Sequence, residues 1–173
     1  MRVVTQQRVG WVGVAVVLLL ASLTIAFAPS RAEVRADEGP QGIDARISGS
    51  AQGELRDDLL RLTNEDRAER GRAELTLAQA ISRYATQHSR QMANAGRLFH
   101  SSENDLRTAL AGVEWSHAGE NVGVGSALKD VQAAFMASRT HRANVLKRPY
   151  DHAAVGIVVD DDRVWVTVVF YGD

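Results

Sequence analysis

Val155-Gly156-Ile157-Val158-Val159, then Asp160-Asp161-Asp162, then Val164-Trp165-Val166-Thr167-Val168-Val169-Phe170 form the last long apolar passage of the chain and set its class. Two runs rich in β-branched and aromatic residues, parted by a short acidic turn, read as a β-hairpin. The second run is almost unbroken in apolar character, so its strand should be covered on both faces. Upstream the pattern turns helical. Leu55, Leu59 and Leu62 recur at helical spacing, and Gly71 stands where that helix should stop. Thr76 followed by Gln79 has the form of a capping box for a second helix. Its apolar side would run Leu77, Ile81, Tyr84, Ala85, His88 and Met92, ended by Gly96. Ser102 with Asp105 predicts a short helix from Asn104 to Ala111, closed by Gly112. Gly119, Gly123 and Gly125 read as turns leading to Ser126, which would cap a helix lined by Leu128, Val131 and Phe135. His141 to Lys147 predicts one more helical turn, stopped before Pro149. Helices first and strands last, with helices for both faces, indicate an α+β sandwich.

Bulk properties narrow the function classes. The 173 residues suit one domain. Its folded part could bury roughly two-thirds of its unfolded surface, enough for one core. The net charge of −1 and the sparse aromatics give neither a basic footprint nor a stacking platform, so nucleic acid is set aside. No cysteine is present, which removes thiolate ligands, a Cys-His nucleophile and disulfide staples. The Ser-His-Asp, P-loop and EF-hand patterns are likewise missing, and Asp160-Asp161-Asp162 reads as a solvated turn.

The N-terminus indicates the compartment. Arg2 and Arg8 precede an apolar stretch, Val9 to Ala28, that ends in the small residues of Ala26-Phe27-Ala28. That is the layout of an export signal, and its 20 residues are also enough for an uncleaved anchor. Residues 1–36 are therefore expected to be a signal peptide or membrane anchor, with the membrane contacted only through residues 9–28. Either outcome puts the rest of the chain in a secreted or extracytoplasmic setting. Losing residues 1–28 takes the net charge from −1 to −3. Residues 37–53, punctuated by Gly39-Pro40, Gly42 and Gly49, read as a linker, and 54–173 as the domain.

Three short segments carry the chemistry: Phe99-His100-Ser101, Gly119-Glu120-Asn121-Val122 and His141-Arg142-Ala143-Asn144-Val145-Leu146. Their order and spacing resemble the bacterial, cysteine-free branch of the CAP superfamily, the cysteine-rich secretory protein, antigen 5 and PR-1 type domain. Asn64, Arg67, Gly71 and Leu75 match the start of the bacterial pattern; Ala85, Ser89 and Met92 match its second helix; Ser138 to Leu146 matches its Ser-x-x-His-Arg-x-Asn segment. The resemblance covers about Leu59 to Phe170. It implies a three-layer α-β-α sandwich with a C-terminal antiparallel hairpin, and a cleft floor where His100, Glu120 and His141 converge. Phe135 stands where the family usually has Trp, Arg139-Thr140 where it has Pro-Gly, and Ser138 near its second glutamate.

Neutral imidazoles and a carboxylate suit Zn2+ or another divalent cation, so His100, Glu120 and His141 are the candidate metal ligands. The same three residues equally suit a buried network in which Glu120 orients two histidines. Ser138, Asn121 and Asn144 are the site-supporting candidates, the two amides as backbone caps or bridges. His88 reads as packed or half-exposed, His117 as a residue of the cleft entrance or a structural one, and His152 as an exposed loop residue, and no catalytic residue is assigned. Three functions stay open: a cleft-type binding module for a small molecule, lipid or cell-envelope ligand; a metal-dependent hydrolase; and a structural surface protein.

Overall fold

The structure is a computed structural model describing residues 49–173. The expected signal or anchor (1–36) and most of the expected linker lie outside the described residues. Among the described residues no helix is long and apolar enough to cross a membrane. In chain order the elements are α1 (Gly49–Ala68), β1 (Thr76–Leu77), α2 (Gln79–Ala95), α3 (Glu103–Ala109), β2 (His117–Gly125), α4 (Leu128–Ala137), α5 (Arg139–Val145), β3 (His152–Asp160) and β4 (Arg163–Gly172).

The strands form one sheet in the order β1-β3-β4-β2. β3 and β4 make the expected hairpin, closing on Asp160 opposite Arg163, with Asp161 in the left-handed region that Asp tolerates. β2 pairs antiparallel with the other side of β4, and β1 runs parallel to β3. One face buries Val155, Ile157, Val166 and Val168 against Leu59 of α1, Val131 and Phe135 of α4, and Val145 of α5. The opposite face buries Ala154, Val158, Trp165 and Val169 against Ile81 and Met92 of α2 and Leu106 of α3. Alternate residues of β4 thus serve two cores, which is why its sequence carries no polar-apolar alternation. The architecture is the three-layer α-β-α sandwich.

Four local expectations give way. α1 starts at Gly49, not near Glu54. Gln52, assigned to the linker, donates from Nε2 to the Ile157 carbonyl at 3.0 Å and so belongs to the domain. Thr76 does not cap α2; its amide donates to the Asp151 carbonyl and that of Ala78 to Ala153, which makes 76–77 a strand and leaves Ala78 as a cap without a side-chain bond. The glycines 119, 123 and 125 belong to β2 and are not turns. A Cβ on Gly123 would meet Val131 and Phe135 at 2.9 Å, so the missing side chain is what lets α4 lie on the strand. Ser126 binds Asp130 at 2.7 Å, and Ala127 is the cap residue of α4.

Polar groups inside this sandwich are paired over long sequence distances. β1 covers only two residues of β3, and beyond it Ser82 Oγ accepts from the Val155 amide at 3.1 Å while Gln52 serves Ile157. Helix side chains therefore finish the edge that the short strand leaves open. Arg67, fully buried on α1, donates to the carbonyls of Ala73 (2.7 Å), Val145 (2.7 Å), Lys147 (3.2 Å) and Tyr150 (3.1 Å). These carbonyls include the C-terminal end of α5, where a cation is favoured. Replacing Arg67 by Met should cost at least about 3 kcal/mol in urea unfolding, because several buried acceptors lose their donor together. Arg67→Lys should recover only part of this, since an ammonium cannot reproduce the planar fork. A loss below about 1 kcal/mol for Arg67→Met would show that water replaces the guanidinium.

Candidate functional site

β2 organises the site. Glu120 is in register with Val169 and Asn121 with Val168, two residues on opposite faces of β4. Successive side chains of a strand point to opposite faces. Glu120 therefore enters the α2–α3 side and Asn121 the α4–α5 side.

On the first side the Glu120 carboxylate, 2% exposed, accepts from the Ser101 amide at 3.0 Å, from Ser101 Oγ at 2.5 Å and from His100 Nδ1 at 2.8 Å. His88 Nε2 lies 4.0 Å from its other oxygen and bonds the Phe99 carbonyl at 3.0 Å. Burial raises the Glu120 pKa, but His100, both Ser101 donors and the nearby His88 outweigh it and hold the group below its ordinary value. An ionised carboxylate only accepts, so His100 Nδ1 carries the proton of the 2.8 Å bond. His100 remains 26% exposed. Ser102 fixes this loop by capping α3 through the Asp105 amide.

On the other side Asn121 Nδ2 donates to the His141 carbonyl at 3.1 Å, and Asn121 Oδ1 accepts from Asn144 Nδ2 at 2.9 Å. Asn144 Nδ2 also reaches the Glu120 carbonyl at 3.1 Å, so α5 is stitched to the outer edge of β2. Gly119 makes the approach possible: a Cβ there would lie 2.5 Å from the Tyr150 hydroxyl and 2.9 Å from Asn144 Oδ1. The His141 ring packs on Phe135 at 5.2 Å. Its pKa is lowered, first by burial and then by repulsion from His100. Ser138 lies at the α4–α5 junction, its Oγ 3.2 Å from Thr140 Oγ1.

The structure thus joins His100 directly to Glu120, ties Asn121 and Asn144 to the His141 segment, and leaves Ser138 bonded only locally. Among the described residues no three His, Asp or Glu side chains are gathered in a form that could hold a metal. Both Glu120 oxygens are occupied by donors, which puts Glu120 behind His100 as the acceptor that orients it. His88 and Ser101 are the site members that residue patterns did not single out. His88 shares the buried face of α2 with Ile81, Ala85 and Met92, and a buried imidazole there requires a partner, which was the available signal. His117 and His152 sit at the Tyr171–Gly172 end of β4; His152 is a strand residue stacked on Tyr171 at 5.0 Å, not a loop residue.

Fold and site together define an α-β-α sandwich whose edge strand carries a buried glutamate between two histidine-bearing segments. The chain belongs to the CAP family: the family model described as "CAP: Cysteine-rich secretory protein family" matches residues 60–170. It is 28% identical over 113 residues to the uncharacterized protein YkwD of Bacillus subtilis, covering 62% of this chain and 43% of that protein. An extracellular protein of Bacillus anthracis containing an SCP domain superposes with TM-score 0.61 at 23% identity, over 71% of this chain and 42% of that one. An outer surface protein of Borrelia burgdorferi superposes with TM-score 0.60 at 16% identity, over 76% of this chain and 96% of that one. The chain spans less than half the length of the two Bacillus proteins, and the two superpositions show a shared fold.

The lowered pKa of His141 makes stability depend on pH. The unfolded chain takes up that proton at higher pH than the folded one, so stability is full above 6.5 and falls as pH drops through that value towards the folded pKa. Glu120, depressed from 4.5, adds a second loss below that pH. Urea midpoints should therefore fall from about pH 7 to about pH 5, and less steeply in His141→Gln. Equal slopes in the two proteins would remove His141 as the source.

Proposed function

We propose that this chain is an extracytoplasmic binding module, and that His100 and His141 at the outer edge of β2 are the polar contacts for a small-molecule, lipid or cell-envelope ligand. One observation carries the reading: Glu120 is an acceptor whose two oxygens already take three hydrogen bonds. A carboxylate held in that way is a weak general base, which favours binding over hydrolysis. The half-exposed His100 and His141 keep ring nitrogens for a ligand, and the extracellular and outer-surface relatives named above support the setting. A divalent cation such as Zn2+ is the second candidate occupant. It would be held by the two imidazoles, and when bound it would supply Lewis acidity to a coordinated water.

The test pairs binding with turnover. The purified chain is mixed with solubilised envelope extract, and retained molecules are compared for wild type, His100→Ala and His141→Ala. We expect a retained ligand whose affinity falls at least about tenfold in either variant, about 1.4 kcal/mol. We expect zinc to promote no ester or peptide hydrolysis. Zinc-dependent turnover abolished by both variants, with no retained ligand, would replace the binding module by a hydrolase.

A further inference from the structure

The small net charge of the chain conceals a segregation of charge. Residues 75–102 contain Arg83, Arg90 and Arg97 and no Asp or Glu, so they carry +3 against −4 for the remainder. Arg83, Gln87, Arg90 and Asn94 are exposed along α2, and exposed Arg97 follows just past its Gly96 cap. Seven residues are nearly two helical turns, so Arg83 and Arg90 sit on one line roughly 10 Å apart with an amide between them. Arg61, Arg70 and Arg107 are neutralised locally, by Glu65, Asp66 and Glu103, whereas the exposed Arg139, Arg142, Arg148 and Arg163 make no ion pair among the described residues but do not form a row along one helix face. Among the described residues Arg83, Arg90 and Arg97 meet no carboxylate at ion-pair distance, and Arg97 lies only over the Phe99 ring, at 5.1 Å. The β3–β4 turn, Asp160-Asp161-Asp162, follows Val158, which packs on Met92 of α2, yet it makes no ion pair with the stripe.

We propose that the outer face of α2 is a docking surface for a linear phosphate-bearing polymer of the cell envelope. Cations in a line, interleaved with amides and free of acids, complement a chain with repeated negative charge and hydroxyl or ester oxygens. A bilayer fits less well, because Leu98 beside Arg97 is too little apolar surface to bury in a membrane. A nucleic acid fits less well, because no exposed aromatic lies along the stripe for bases to stack on. Arg83 and Arg90 lie on α2 and His141 on α5, so His141→Ala should leave this surface working even if the proposed ligand site fails.

The test uses the purified chain with poly(glycerol phosphate) as probe, and with single-stranded DNA and phosphatidylglycerol vesicles as the competing arms. We expect binding to the polymer that weakens steeply with salt. The triple variant Arg83→Gln, Arg90→Gln, Arg97→Gln should bind at least about tenfold less tightly and lose about one unit of salt slope per arginine removed. Arg61→Gln with Arg70→Gln should bind as wild type. All these residues are exposed, and Arg90→Glu alone gives a second variant should the triple unfold. No polymer binding, binding unchanged in the arginine variants, or tighter binding to DNA or vesicles than to the polymer would each overturn the proposal.

Discussion

Burying the ionised Glu120 in a sheet covered on both faces is the constraint that shapes the rest of the site. A buried carboxylate must find donors or lose its charge. Here the donors come from one turn of chain, His100 and Ser101, which Ser102 then hands to α3. The loop between α2 and α3 is consequently pinned to β2, and His88 is drawn beneath it. Through its carbonyl the same residue binds Asn144 and so anchors α5 on the other side. Glu120 thus connects both helical layers across an edge strand, by its side chain in one direction and its backbone in the other.

A CAP domain without cysteine needs other means of holding its layers, and long-range polar contacts supply them. Arg67 gathers carbonyls from the turn after α1 and from the end of α5. Asn64 adds a matched pair with Leu75, donating to its carbonyl at 3.0 Å and accepting from its amide at 2.9 Å. Ser89 spans α2 to β4 through Thr167 Oγ1 at 2.9 Å. Each is buried or half-buried, where losing one partner strands the other. The residues that carry the family resemblance in the first half of the chain are thus the joints of the sandwich.

The hairpin, α3 and most of α2 were legible because their signals are local: an apolar run at a turn, a serine cap, a four-residue rhythm. β2 was not, since Gly119, Gly123 and Gly125 imitate a loop, and their purpose is visible only once α4, Asn144 and Tyr150 are seen against the strand. β1 is too short to show a period, and Thr76 with Gln79 offered a persuasive but false cap. At the site, His100 and Glu120 were legible as partners through the family resemblance. The role of Glu120 as acceptor, and the place of His88, depend on which face of β2 each residue takes, a matter of register that spacing alone does not reveal.

The most direct test of this account is long-range proton–nitrogen NMR of the histidine rings, read at a pH where His100 is neutral. A carboxylate that is ionised and accepting requires the His100 proton on Nδ1, and that tautomer should be lost in Glu120→Ala. A neutral His100 protonated on Nε2, unaffected by Glu120→Ala, would contradict it, because Glu120 would then not be the acceptor that holds the site together.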